Sequence, residues 1–127
     1  MRQVLVTRIL KPEGMSEEEF FQFCIANKDL QVEKNSSGEI LIMPPTGSET
    51  GAYDLALGSE IHLWNRKTNL GIAFDSSAGF TLPNKAVRSP DAAWISSGRW
   101  DQVAQEDRKK FAHICPDFVA EIASPSD

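Results

Sequence analysis

Two carboxylates stand in strand-like segments late in the chain. Asp91 lies in Ser89-Pro90-Asp91-Ala92-Ala93-Trp94-Ile95, and Glu121 in Pro116-Asp117-Phe118-Val119-Ala120-Glu121-Ile122. Val119, Ala120, Ile122 and Ala123 flank Glu121, so a strand through it carries apolar residues on both faces. A buried carboxylate without a partner costs several kcal/mol or takes up a proton, so such groups are usually paired or metal-bound. Pro90 suits the first position of a strand, where its missing N–H is not needed, and it stiffens the entry that aims Asp91. Two convergent carboxylates suit Mg²⁺ (or Mn²⁺), which completes its octahedron with waters and phosphate oxygens. Such an ion activates a bound water and neutralises charge on a phosphate. Pro-Asp by itself is a common strand-entry or turn dipeptide, and Pro116-Asp117 repeats it. What raises Asp91 above that reading is a second strand carboxylate one helix later.

Glu39 is a third candidate, because it opens the apolar run Glu39-Ile40-Leu41-Ile42-Met43 directly after Gly38. Its competing reading is an exposed carboxylate at a strand end. Glu33, Glu49 and Glu60 read as solvated. His62, near the apolar side of a long helix, and His113, before Ile114, read as packed or surface histidines rather than catalytic bases. Arg66-Lys67 and Arg108-Lys109-Lys110 read as solvated helix faces, and Trp64, Trp94 and Trp100 as packing.

The elements that must position these groups are legible in outline. Ser16 and Glu19 form a capping box that opens a helix through Phe20, Phe21, Phe23, Cys24 and Ile25. Residues 31–34 and 39–43 flank Asn35-Ser36-Ser37-Gly38 and read as a hairpin. A long helix is expected from Ser48 to Asn69, with Tyr53, Leu57, Ile61 and Trp64 on one side, widened by Ala52, Ala56 and Leu63. Asn69-Leu70-Gly71 is its stop. Strands follow at 72–74, 80–82 and 91–95, then a polar helix from Arg99 to Ala112 and a last strand begun by Pro116. The order predicts a mixed α/β (α+β) fold with helices packed on one twisted sheet.

The totals set outer bounds. At 127 residues the chain reads as one domain, 1–127, able to bury roughly two-thirds of its unfolded surface. Hydrophobic content of 41% and charged content of 24% argue against disorder. A net charge of −5 argues against a non-specific nucleic-acid binder, which shows a basic footprint, yet metal-dependent nucleases concentrate acid in their sites. Cys24 and Cys115 are far apart with no histidine at ligand spacing, which predicts two buried thiols in a reducing cytosol and no zinc. Met1 to Leu10 carries a charge within its apolar stretch and no small-residue cleavage site. No run is long enough to cross a membrane, so a cytoplasmic protein is expected.

Several stretches, in order, resemble the bacterial Uma-type endonucleases, a branch of the PD-(D/E)XK, restriction-endonuclease-like superfamily. They are Gly38-Glu39-Ile40-Leu41-Ile42-Met43-Pro44-Pro45-Thr46-Gly47, Leu70 through Ser77 continuing to Gly79-Phe80-Thr81-Leu82-Pro83-Asn84, Arg88-Ser89-Pro90-Asp91, Pro116 through Glu121, and Ser124-Pro125-Ser126-Asp127. The resemblance implies a restriction-endonuclease-like core, a mixed sheet flanked by helices with the acidic site at one end. It implies that Asp91 and Glu121 bind Mg²⁺ or Mn²⁺, that Glu39 assists, and that DNA phosphodiesters are the substrate.

The resemblance also implies a lysine, on a helix beyond Ser124 to Asp127, with further strands after it. Ala123 occupies the place two positions after Glu121, and Ser48-Glu49-Thr50-Gly51 carries no histidine where relatives often have one. The expectation is therefore a C-terminally truncated member that hydrolyses DNA slowly or not at all. The alternative is a non-catalytic remnant acting as a protein- or nucleic-acid-binding module. Lys34, Lys85 and Lys67 are the first candidates to replace the lysine. An uncovered strand at Glu121 would invite association, so a homodimer is expected.

Overall fold

The computed structural model describes residues 7–9 and 14–123; the N-terminal run and Ser124 to Asp127 lie outside them. Helix α1 (Glu17–Ala26) starts at the capping box. Ser16 Oγ accepts from the Glu19 N–H at 3.1 Å, and Glu19 Oε1 accepts from the Ser16 N–H at 3.0 Å. Strands β2 (Gln31–Lys34) and β3 (Ile40–Met43) form the expected antiparallel hairpin. Its turn is built by Asn35, whose Oδ1 accepts from the Ser37 and Glu39 N–H groups, and by Gly38 at φ +90°. Strand β1 (Thr7–Ile9) pairs antiparallel with β3.

Helix α2 (Ser48–Thr68) ends on Asn69, which takes the left-handed conformation at φ 52°, so the stop at Asn69-Leu70-Gly71 holds. Only Thr50 is fully buried in α2. Leu57 and Ile61 are half-buried, whereas Tyr53, Leu63 and Trp64 stay exposed.

The described strands form two sheets where one was expected. Strands β5 (Phe80–Thr81), β6 (Val87–Arg88) and β8 (Ala112–His113) join the hairpin in a six-stranded sheet of order β1-β3-β2-β6-β5-β8, mixed because β5 and β8 run parallel. Strands β4 (Gly71–Phe74), β7 (Ala92–Ser96) and β9 (Phe118–Ala120) form an antiparallel sheet of order β4-β7-β9. The chain crosses from β4 to the larger sheet through a turn in which Asp75 Oδ1 accepts from the Ser77 N–H at 2.9 Å.

Side-chain alternation along the strands sets the layers. Ala93 and Ile95 of β7 are buried with Phe80, Ala112 and Ile114 between the sheets. Trp94 turns the other way, toward α2, where its Nε1–H donates to Asn65 Oδ1 at 2.8 Å and its ring meets Trp64 edge-on at 5.4 Å. Phe20 of α1 packs with Ile40 and Val87 on the outer face of the larger sheet. Each such fully buried Phe or Ile stabilises the fold by about 1.5–3 kcal/mol. The layers are thus α1, six-stranded sheet, three-stranded sheet, α2, a mixed α+β architecture of the restriction-endonuclease-like kind.

Other expectations shift. The helix predicted over Arg99 to Ala112 is two single turns, α3 (Ser97–Trp100) and α4 (Gln105–Arg108). Trp100, at the end of α3, and Val103, between the two turns, pack against the core, and Ala112 is drawn into β8, so helical continuity gives way to anchoring. Cys115 is exposed and Cys24 only half-buried, and both are free thiols rather than a buried pair. Burial pushes the Cys24 thiol up to about 11. No described helix is long and apolar enough to cross a membrane.

Candidate active site

Asp91 stands one residue before β7 and Glu121 one residue after β9. The antiparallel ladder pairs Ala92 with Ala120, and one further step brings Asp91 opposite Glu121. The Ile122 N–H donates to Asp91 Oδ2 at 2.6 Å, closing the end of the ladder with a side chain instead of a carbonyl. Partial withdrawal from water, then the charge and close approach of Asp91, then the charge of Glu33, push the Glu121 carboxyl up to about 7. The two predicted carboxylates therefore sit just beyond the ends of adjacent strands and act on each other.

Pro116-Asp117, the repeat of the dipeptide, lies at the opposite end of the same ladder. Asp117 accepts from the Ser96 N–H at 2.9 Å and pairs with Arg99 at 2.9 Å, contacts that hold its carboxyl below the usual range. One dipeptide thus serves the acidic cluster and the other fastens a strand end.

Two further carboxylates join the cluster. Asp54 of α2 faces Asp91; removal from water and the Asp91 charge raise its pKa. Its Oδ1 is fully buried and accepts no hydrogen bond. Glu33 of β2 is half-buried, its Oε2 accepting from the Ser89 N–H at 2.9 Å and its Oε1 lying 3.4 Å from Arg88 Nη1. Glu33, Asp54, Asp91 and Glu121 all line one cleft of about 390 Å³. Asp54, Ser76 and Asp91 also line a groove of about 750 Å³ along α2, so the cluster sits where the two depressions meet.

Glu39 is not brought into this cleft. It stays on the hairpin turn, half-buried, with its carboxylate accepting from Asn35 Nδ2 at 2.9 Å. Glu33, read from sequence as solvated, lines it instead. The signal was available: in Gln31-Val32-Glu33-Lys34, alternation puts Val32 and Lys34 on one face and Glu33 on the other. Asp54 also had a signal, since it falls at helical spacing on the same stripe as Leu57 and Ile61. His62 lines the groove on exposed α2, and His113 bridges Glu17 and Asp107 at 2.7 and 2.8 Å, away from the cluster.

The donor set fits a divalent cation on one count in particular: an orphaned, buried Asp54 oxygen stands beside carboxylates that repel one another. Among the described residues no three acidic, histidine or cysteine side chains converge tightly enough to cage an ion. Mg²⁺ needs only one or two carboxylates, with water and phosphate supplying the rest.

Comparison with known proteins bears on the same residues. No curated protein matches the chain. The family described as "Uma2: Putative restriction endonuclease" matches residues 17–127, a span that contains both sheets apart from β1 and all four carboxylates of the cluster. The chain belongs to the Uma2 restriction-endonuclease family.

Proposed function

We propose that this protein is a nuclease-type site in which Asp91 and Glu121 hold Mg²⁺ or Mn²⁺ and DNA phosphodiesters are hydrolysed. The observation that carries the reading is the register: Asp91 opposite Glu121 at the open end of the β7–β9 ladder, with Ile122 N–H orienting Asp91. When bound, the ion would activate a water and offset charge on the phosphate. The chain's own residues do the positioning. Pro90 and the Ile122 N–H aim Asp91, the Ser89 N–H aims Glu33, and Asp54 presents its orphaned oxygen from α2. Without metal, the Glu121 carboxyl, raised to about 7, takes up a proton as pH falls through neutrality, which relieves the crowding.

Among the described residues no lysine lines the cleft. Lys34 belongs to another cleft, over the Phe20 ring at 5.0 Å, and Lys67 and Lys85 are exposed elsewhere. One preorganised donor is worth about 100- to 1,000-fold in rate, so a site served only by the described residues is expected to cleave slowly. Titration calorimetry with Mg²⁺ and Mn²⁺, alongside nicking of plasmid DNA, tests the reading. Weak metal binding abolished by Asp91→Asn supports it; equal binding by Asp91→Asn overturns it. Metal and DNA binding without any nicking would favour the binding-module alternative.

A further inference from the structure

The carboxylate cleft poses an electrostatic difficulty for any phosphate. Glu33, Asp54, Asp91 and Glu121 gather there, and among the described residues no lysine or arginine lines either the cleft or the adjoining groove. A single divalent ion offsets two charges, so an entering phosphodiester still meets acid unless a cation stands beside it.

One side chain is placed to supply that cation. On β2 and β6, Lys34 pairs with Val87, and both are buried toward α1. Alternation sends their neighbours Glu33 and Arg88 to the opposite face. There Arg88 Nη1 lies 3.4 Å from Glu33 Oε1, long for a charge-assisted bond, and its side chain is 42% exposed. That single contact leaves most of its N–H fork free. Glu33 is held independently by the Ser89 N–H, so it does not need Arg88 to stay in place. Only Ser89 and Pro90 separate Arg88 from Asp91 in the chain.

We propose that Arg88 is the phosphate clamp of this site: Glu33, which lines the cleft, holds the guanidinium beside it, and the free N–H groups take the phosphate oxygens of the bound strand. The proposal rests on the metal-nuclease reading above and adds the residue that lets an anion approach.

Fluorescence anisotropy of a labelled DNA duplex in Mg²⁺, from about 50 to 200 mM salt, tests it. Arg88→Gln should weaken binding about tenfold at the lowest salt and make the slope of log K against log salt shallower by about 0.9, one phosphate contact. Arg88→Lys should recover the slope but not the full affinity, because a point charge cannot make two parallel bonds. Calorimetric Mg²⁺ affinity should persist in both variants. An unchanged slope in Arg88→Gln, with or without a lowered Tm, overturns the clamp and leaves the metal site standing. A parent protein that binds no Mg²⁺ overturns both.

Discussion

Glu33 and Lys34 are neighbours on β2 and serve opposite faces of the six-stranded sheet. Glu33 lines the acidic cleft with Asp91 and Glu121, while Lys34, 6% exposed, lies under α1 with its Nζ 5.0 Å above the Phe20 ring. The pleat alone places the carboxylate in the cleft and the lysine on the opposite face of the sheet. Lys34 is a packing residue whose methylene stem fills space beside the core.

Lys34→Met should therefore leave Mg²⁺ affinity and any DNA cleavage unchanged, since it keeps the stem and removes only the charge. Lys34→Ala should cost about 1–3 kcal/mol by removing buried methylenes. Urea unfolding measures the loss. A Lys34→Met protein that folds normally yet loses cleavage would show that the lysine reaches the cleft after all.

Asp91 has two roles that substitutions can separate. Asp91→Asn keeps an oxygen for the Ile122 N–H and removes the repulsion with Glu121 and Asp54. The metal-free variant should be at least as stable as the parent. Asp91→Ala strands the Ile122 N–H and should lose about 1–2 kcal/mol. Denaturant midpoints of the three proteins without metal give the order, and Asn falling below Ala would contradict this account.

His113 links α1 to α4. Hydrogen bonds to Glu17 and then Asp107 raise its pKa above 6.5. A group whose folded pKa is raised contributes stability fully below its unfolded value, and loses it as pH climbs through the folded value. Stability from this bridge should thus be complete below pH 6.5 and decline above it. His113→Gln should flatten that part of the pH–stability curve, by a small amount because the side chain is half exposed and screened. Thermal melts across pH 5 to 9 at low and high salt read it directly.

Gly71 lies tight against β7. A Cβ there would overlap the Ile95 carbonyl oxygen and stand 2.6 Å from the Trp94 ring. Neither is the free end of a flexible chain, so Gly71→Ala should destabilise by about 2–4 kcal/mol. Gly58, with nothing near its Cβ position, should accept alanine with a gain of up to about 1 kcal/mol from helix propensity. Equal midpoints for the two variants would refute the packing argument.

The amino-acid sequence by itself determined what local chemistry can dictate. The Ser16–Glu19 box starts α1, the Asn35 to Gly38 turn makes the hairpin, Asn69 stops α2, and Pro90-Asp91 with an apolar-flanked Glu121 marks the acidic pair. Each depends on residues close in the chain, although Glu121, expected to be buried among its apolar neighbours, stays exposed, as do Phe118 and Val119 beside it, because β9 is an edge strand. Tertiary structure decided the rest. It split one expected sheet into two, because β4 finds β7 while β5 and β6 continue from β2, and no local signal chooses between partners. It broke the Arg99 to Ala112 helix, because Trp100 and Val103 gain more by packing against the core than by continuing a polar helix. It brought Glu33 and Asp54 to Asp91 and left Glu39 on its turn, because the pleat and the packing of α2 fix where a carboxylate points once neighbouring strands are in register.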